Sequence, residues 1–176
     1  MGIYSFEDRA PRIHESTYVS SSSDIIGDVR IGKECFIGPG ARIKGDYGTV
    51  IIGDRSNVQE NCVIHARPDE QTVIGENVSI GHGAIIHGAH IDDDATIGMG
   101  SIVSDFAKVG KWGVVGEGAV VVSRKEVPDE GIAVGIPAKV VGSVDEDFKK
   151  MWSEYKEIYR TLSWRYKEGL KRLDRD

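Results

Sequence analysis

Cysteine is scarce in this chain: Cys35 and Cys62 are the only two among 176 residues, and they lack CxxC spacing. That excludes a disulfide framework and a zinc knuckle, and both thiols are expected to be reduced. Long apolar runs are missing as well, since none approaches the roughly 20 residues needed to cross a bilayer, so no membrane partner is expected. The N-terminus reads MGIYSFEDRAPRIH, without the basic-then-apolar pattern of a secretory signal, which predicts a cytoplasmic protein. Basic residues are outnumbered, 22 against 28 acidic, for a formal charge of −6. Such a balance opposes broad contact with nucleic acid, which is not expected as a partner either. Hydrophobic residues at 40% and charged residues at 28% are ordinary for one soluble domain, here 1–176.

What the chain has in excess is glycine, at 22 residues, and a repeat explains it. Aliphatic residues recur every six positions at Ile13, Val19, Ile25, Ile31, Ile37 and Ile43. The train resumes at Ile52, at Ile74 and at Ile91, running to Val121. Glycine or a small polar residue usually follows each aliphatic, as in Ile31-Gly32 and Ile97-Gly98, and the fifth slot is mostly small, as at Cys35, Ala41, Cys62 and Ala84. Short strands that turn at every sixth residue account for the pattern, with aliphatics inward and glycines allowing tight corners. The pattern resembles the left-handed parallel β-helix of the hexapeptide-repeat proteins. The resemblance implies a mainly β fold in which three hexapeptides make one triangular coil, over roughly 13–122. Gly135-Ile136-Pro137-Ala138-Lys139 resembles the exit motif of such proteins, which puts the β-helix with its exit segment at 12–142. Ser143-x-x-Glu146 then reads as a capping box, and Phe148, Met151, Trp152, Tyr155, Tyr159, Leu162 and Tyr166 recur at helical spacing. A C-terminal helix over 143–173 is expected to pack on one face of the prism.

Equivalent positions in successive coils stack about 4.8 Å apart. Ile43 to Ile64 is one coil plus three residues, and Ile64 to Ile86 one coil plus four. If the extra residues, around 46–50 and 66–73, loop out at one corner, Lys44, His65 and His87 stack on the outside of one face. Glu60 and His82 then stack on the preceding face, with Gln59 beside them. Two stacked imidazoles can share a metal, and a neighbouring subunit could supply His82, which lies on a different face. His14 and His90 fall outside these columns and read as solvated or structural, and the fifth-slot Cys62 points into the core.

Lys44-Gly45-Asp46, Asn57-Val58-Gln59-Glu60-Asn61 and then His65, His82 and His87 together resemble the γ-class carbonic anhydrase family. The resemblance implies a homotrimer with interfacial sites. His65 and His87 of one subunit and His82 of its neighbour would ligate Zn2+, or alternatively Fe2+ or Co2+. It places Gln59 and Asp46 near the metal-bound water, with Asp46, Tyr47 or a rim acid exporting protons, and Lys44 and Glu60 as a charge pair bridging subunits. The implied reaction is reversible hydration of CO2 to bicarbonate by a metal hydroxide. Lys44 and Glu60 stand where that family usually has Arg and Asp. Tyr47 stands where the best studied kind has an acid. Gly45-Asp46-Tyr47-Gly48 also resembles a subgroup encoded with carnitine and phenylacetate metabolism. This opens the alternative of acyl-CoA thioester hydrolysis or acyl transfer, beside that of a non-catalytic trimeric scaffold.

Overall fold

The computed structural model describes residues 2–174. The six-residue repeat winds them into a left-handed parallel β-solenoid of about seven turns, followed by one C-terminal helix. Most strands are two or three residues long, and those from Tyr18–Val19 to Glu126–Val127 deliver an aliphatic side chain to the interior. In register, Val58, Ile80, Ile97 and Val115 stack as one column. Ile43, Ile64, Ile86, Val103 and Val121 form a second. Ile52, Ile74, Ile91, Val109 and Val127 form the third. None of these side chains is more than 2% exposed. The core is therefore three aliphatic columns, and every coil adds one residue to each.

The columns define three faces. A helix face carries Asn57–Val58, Ser79–Ile80, Thr96–Ile97 and Val114–Val115. A histidine face carries Val63–His65, Ile85–His87, Ile102–Val103 and Val120–Val121, and a third face carries Gln71–Ile74, His90–Ile91 and Lys108–Val109. The strands Asp24–Ile31 and Arg42–Ile52 bend round the corner between the last two faces and belong to both. Parallel structure begins earlier than expected, because Gly2–Tyr4 pairs with Asp24–Ile31. It also runs past Val121 through Glu126–Val127 and Gly131–Val134, until Lys139–Ser143 folds back antiparallel.

Two local expectations are corrected. The residues around Asp46–Val50 do not loop out; they lie within the continuous strand Arg42–Ile52 as a bulge, where pairing jumps from Gly27↔Gly45 to Val29↔Val50. The glycines after the aliphatics do not supply corners. A Cβ on Gly53 would lie 2.6 Å from the Gly75 backbone, and one on Gly98 2.6 Å from Glu117 N, so these glycines permit one coil to approach the next. Left-handed backbone sits at other positions, and it includes the bulky Phe106 (φ 60°) and Trp112 (φ 58°).

The helix spans Glu146–Gly169. Its N-cap is Asp145, whose carboxylate accepts from Phe148 N at 2.8 Å, while Ser143 ends the last strand and makes no capping box. Tyr166 packs edge-on against Tyr18 and Phe36 at 5.3 Å, and Tyr159 lies 5.8 Å from Phe36. No helix among the described residues is long and apolar enough to cross a membrane.

Lys156 is buried between the helix and a solenoid corner, donating to the Asp94 carbonyl with its ammonium 4.6 Å from the Trp112 ring. Burial pushes it down to about 8. The unfolded chain therefore binds this proton more tightly, and the penalty is complete below about pH 8 and fades as pH rises towards 10.5. Burial also pushes the Cys35 and Cys62 thiols up to about 11, which acts in the opposite sense over the same window. Comparison with Lys156→Met isolates the lysine, because both proteins share the thiols. Denaturant unfolding is expected to find Lys156→Met the more stable below pH 8, with the difference shrinking by up to about 3 kcal/mol towards pH 10.5.

Candidate active site

The register places Lys44, His65 and His87 in one stack on the histidine face. His65 Nδ1 and His87 Nε2 face each other at 3.2 Å. The other nitrogen of each ring is held by a carboxylate. His65 Nε2 lies 2.9 Å from Asp46 Oδ1, and His87 Nδ1 lies 2.5 Å from Asp105 Oδ1. Partial burial works against the charge on Asp46, but hydrogen bonds from Lys44 and His65 outweigh it and hold the carboxyl below the usual carboxylate range. Asp105 is lowered in the same way, with His87 and Arg67 outweighing burial.

An ionised carboxylate only accepts, so the ring protons of neutral imidazoles sit on His65 Nε2 and His87 Nδ1. The two facing nitrogens then both present lone pairs, and a cation between them, a proton or a metal ion, turns that repulsion into attraction. Nitrogens bound at about 2.0–2.1 Å to one tetrahedral zinc lie about 3.3 Å apart, so the observed spacing fits.

His82 follows Ser79–Ile80 on the helix face, away from the pair, as the coil count predicted. Glu60 Oε2 approaches its Nδ1 at 2.5 Å, and its side chain is 45% exposed. Among the described residues of one chain, no three His, Cys, Asp or Glu side chains converge as a metal site. Gln59 is buried on the same face as His82, donating to Asn57 Oδ1 at 3.0 Å, and is not beside His65. Lys44 pairs with Asp46 at 2.9 Å and Glu60 with His82, so each charge has a partner within the chain. Tyr47 is exposed on the rim. His14 bonds the hydroxyl of Ser16 and His90 the carboxylate of Asp92, both at the surface.

Asp105 went unrecognised in the sequence. Asp105 lies one residue beyond Ser104, the position that stacks above His87, so the count that stacked the histidines passes it by. Arg67 donates to Asp105 Oδ2 at 2.7 Å and lies over the Phe106 ring, which Arg124 faces at 5.2 Å. Below them Thr72, wholly buried, donates to the His65 carbonyl and accepts from Gly88 N. Gly48 brings the bulge against the following loop, because a Cβ there would lie 2.2 Å from the Arg67 carbonyl.

Models of the bacterial transferase hexapeptide and of the hexapeptide repeat of succinyl-transferase match residues 10–45 and residues 28–66 with 71–105, respectively. The carnitine operon protein CaiE of Escherichia coli K12 is 38% identical over 147 residues, 84% of this chain and 75% of that protein. Its counterpart from Proteus sp. is 37% identical over 171 residues, 97% and 86% of the two chains. A crystal structure from Bacillus cereus, provisionally described as an acetyltransferase, superposes with a TM-score of 0.92 at 36% identity, covering 94% of this chain and 96% of that one. A hexapeptide transferase family protein from Anaplasma phagocytophilum gives 0.88 at 30% identity, covering 94% and 98%.

Gly88 adopts φ 59°, and a Cβ on it would meet Asp105 Oδ1 at 2.6 Å. Gly88→Ala is expected to cost at least about 1–2 kcal/mol in denaturant unfolding. It should also shift the imidazole NMR signals of His87 while leaving those of His90 in place.

Proposed function

The chain belongs to the hexapeptide-repeat family that includes the carnitine operon protein CaiE, and from that membership we propose that it is an enzyme of acyl-CoA chemistry. It cleaves or transfers the acyl group of a thioester at the site built on His65 and His87. The observation that carries this reading is the pair of facing imidazole nitrogens, each ring backed by a carboxylate. The acetyltransferase description of the Bacillus cereus structure supports acyl chemistry over the hydration of CO2 that the γ-class resemblance suggested.

The donors fit Zn2+, with Fe2+ or Co2+ as alternatives. His65 and His87 of one copy and His82 of a neighbouring copy in a homotrimer would hold it. Such a metal supplies Lewis acidity and the ionisation of a water near neutral pH. The chain's own residues do the positioning. Asp46 and Asp105 accept the ring N–H groups of His65 and His87 and fix their tautomers, and the carboxylate of Glu60 lies against Nδ1 of His82. Lys44 keeps Asp46 ionised. Gln59 travels with His82 on the helix face and therefore reaches the site from the neighbour, as His82 does. Hydrolysis consumes one water and releases the acid and the CoA thiol, whereas transfer to an alcohol or amine releases the thiol alone.

The same three carboxylate-backed imidazoles support a second reading, hydration of CO2, because that reaction needs the same ionised water. The protein, purified anaerobically and assayed for metal, should release thiol from acyl-CoA substrates, and His87→Ala should lose both the metal and at least about 100-fold in kcat/KM. Stopped-flow CO2 hydration without thiol release would select the second reading. A metal-free protein inactive in both assays would select the scaffold.

Separately, Asp105→Asn is expected to weaken zinc affinity by about 10–100-fold in competition with a chromogenic chelator. Arg67→Met should move it in the same direction by less, and Arg67→Lys should restore part of the loss.

A further inference from the structure

Between the helix face and the C-terminal helix lies a groove of about 430 Å3. Its origin is a column of outward side chains that shrinks along the solenoid. In register, Tyr18 and Phe36 are followed by Asn57, Ser79, Thr96 and Val114. The two rings carry the C-terminal half of the helix through Tyr159 and Tyr166. Beyond them the small side chains leave space beneath Phe148, Trp152 and Tyr155, which make the helix wall. The volume is that of a small-molecule site, and CO2 would fill only a small part of it.

Two polar groups in the lining have no partner. Thr96 is 6% exposed and its hydroxyl makes no hydrogen bond, and neither does the buried Nε1–H of Trp152. A buried donor left unpaired costs about 1–3 kcal/mol, and within the lining nothing of the protein satisfies either. His82 and Gln59 line the same groove, one and two coils below Thr96.

We propose that this groove binds the acyl part of the substrate: an apolar acyl group longer than acetyl, bearing an oxygen acceptor for Thr96 and Trp152. The inference rests on the acyl-CoA reading and deepens it. Because His82 lines the groove and also completes the neighbour's site, the acyl tail lies under the helix of one copy, and its thioester carbon meets the His65–His87 pair of the next.

The metal-loaded protein is to be assayed with acetyl-, octanoyl- and 3-oxooctanoyl-CoA. The expected result is a kcat/KM at least tenfold higher for 3-oxooctanoyl- than for acetyl-CoA. Val114→Phe should lower the long-chain values at least tenfold more than the acetyl value, and Thr96→Val should narrow the advantage of the oxo substrate over octanoyl. Acetyl-CoA turnover with a flat chain-length profile would overturn the groove and leave the acyl-CoA reading intact. Binding is read independently through Trp152 fluorescence, by difference against Trp152→Phe, with S-octyl-CoA, a non-hydrolysable thioether. Saturable quenching that Val114→Phe abolishes supports the groove even if no thioester is turned over, and absence of quenching overturns it. Dissociation of the oligomer by Val114→Phe in light scattering would also overturn it, by showing that the groove is a contact between copies.

Discussion

Everything else in this molecule depends on the vertical register of its coils. Parallel pairing holds each strand about 4.8 Å above the last, and three aliphatic columns leave no room for slippage, because a shift of one residue would turn every inward side chain out. The coil-contact glycines serve the same constraint, since Gly53 and Gly98 let successive backbones approach where a Cβ would collide. Once the register is set, side chains far apart in sequence become neighbours at a fixed spacing. Lys44, His65 and His87 form a polar line up one side of the prism for this reason, and Asp46 and Asp105 reach its imidazoles from just beyond the stacked positions.

That line shows how a scaffold without deep clefts can build chemistry. His65 and His87 each have one ring nitrogen held by a carboxylate, and Glu60 lies against Nδ1 of His82, which leaves the other nitrogen of each ring without a carboxylate. The carboxylates are themselves held by Lys44 and Arg67. Arg67 in turn lies along the corner past Gly88 and over Phe106, whose left-handed backbone is a cost maintained beside the site. The precision comes from stacking, with each coil supplying the orienting group for the one beside it.

The six-residue period made the fold legible, and the same arithmetic placed His65 above Lys44 and below His87 before any coordinates. It also put His82 and Glu60 together on another face. Features that depend on local conformation were less visible. The extra residues after Gly45 were expected to loop out, but a strand can absorb three residues as a bulge when its flanks still pair. Ser143-x-x-Glu146 satisfied the letter of a capping box, yet Asp145 stood closer to the helix and took the position. Corners were ascribed to the wrong glycines, because close approach and left-handed backbone both select glycine and composition does not separate them. Chemistry was the least legible, since the same imidazole set suits CO2 and a thioester alike, and only the relatives and the shape beside His82 bear on the substrate.

The polar line occupies the middle coils, with strands stacked in register beneath and above it. In a solenoid each coil touches only its neighbours, so stability is close to a sum of adjacent contacts, and loss of structure begins at the exposed ends. Gly2–Tyr4 at one end and Lys139–Ser143 at the other each have a single neighbouring strand. Fraying therefore spends itself on coils that carry no histidine of the site. The histidine pair sits where the ladder is longest in both directions, and mild heating or denaturant would erode the termini of the prism well before it disturbed the imidazoles.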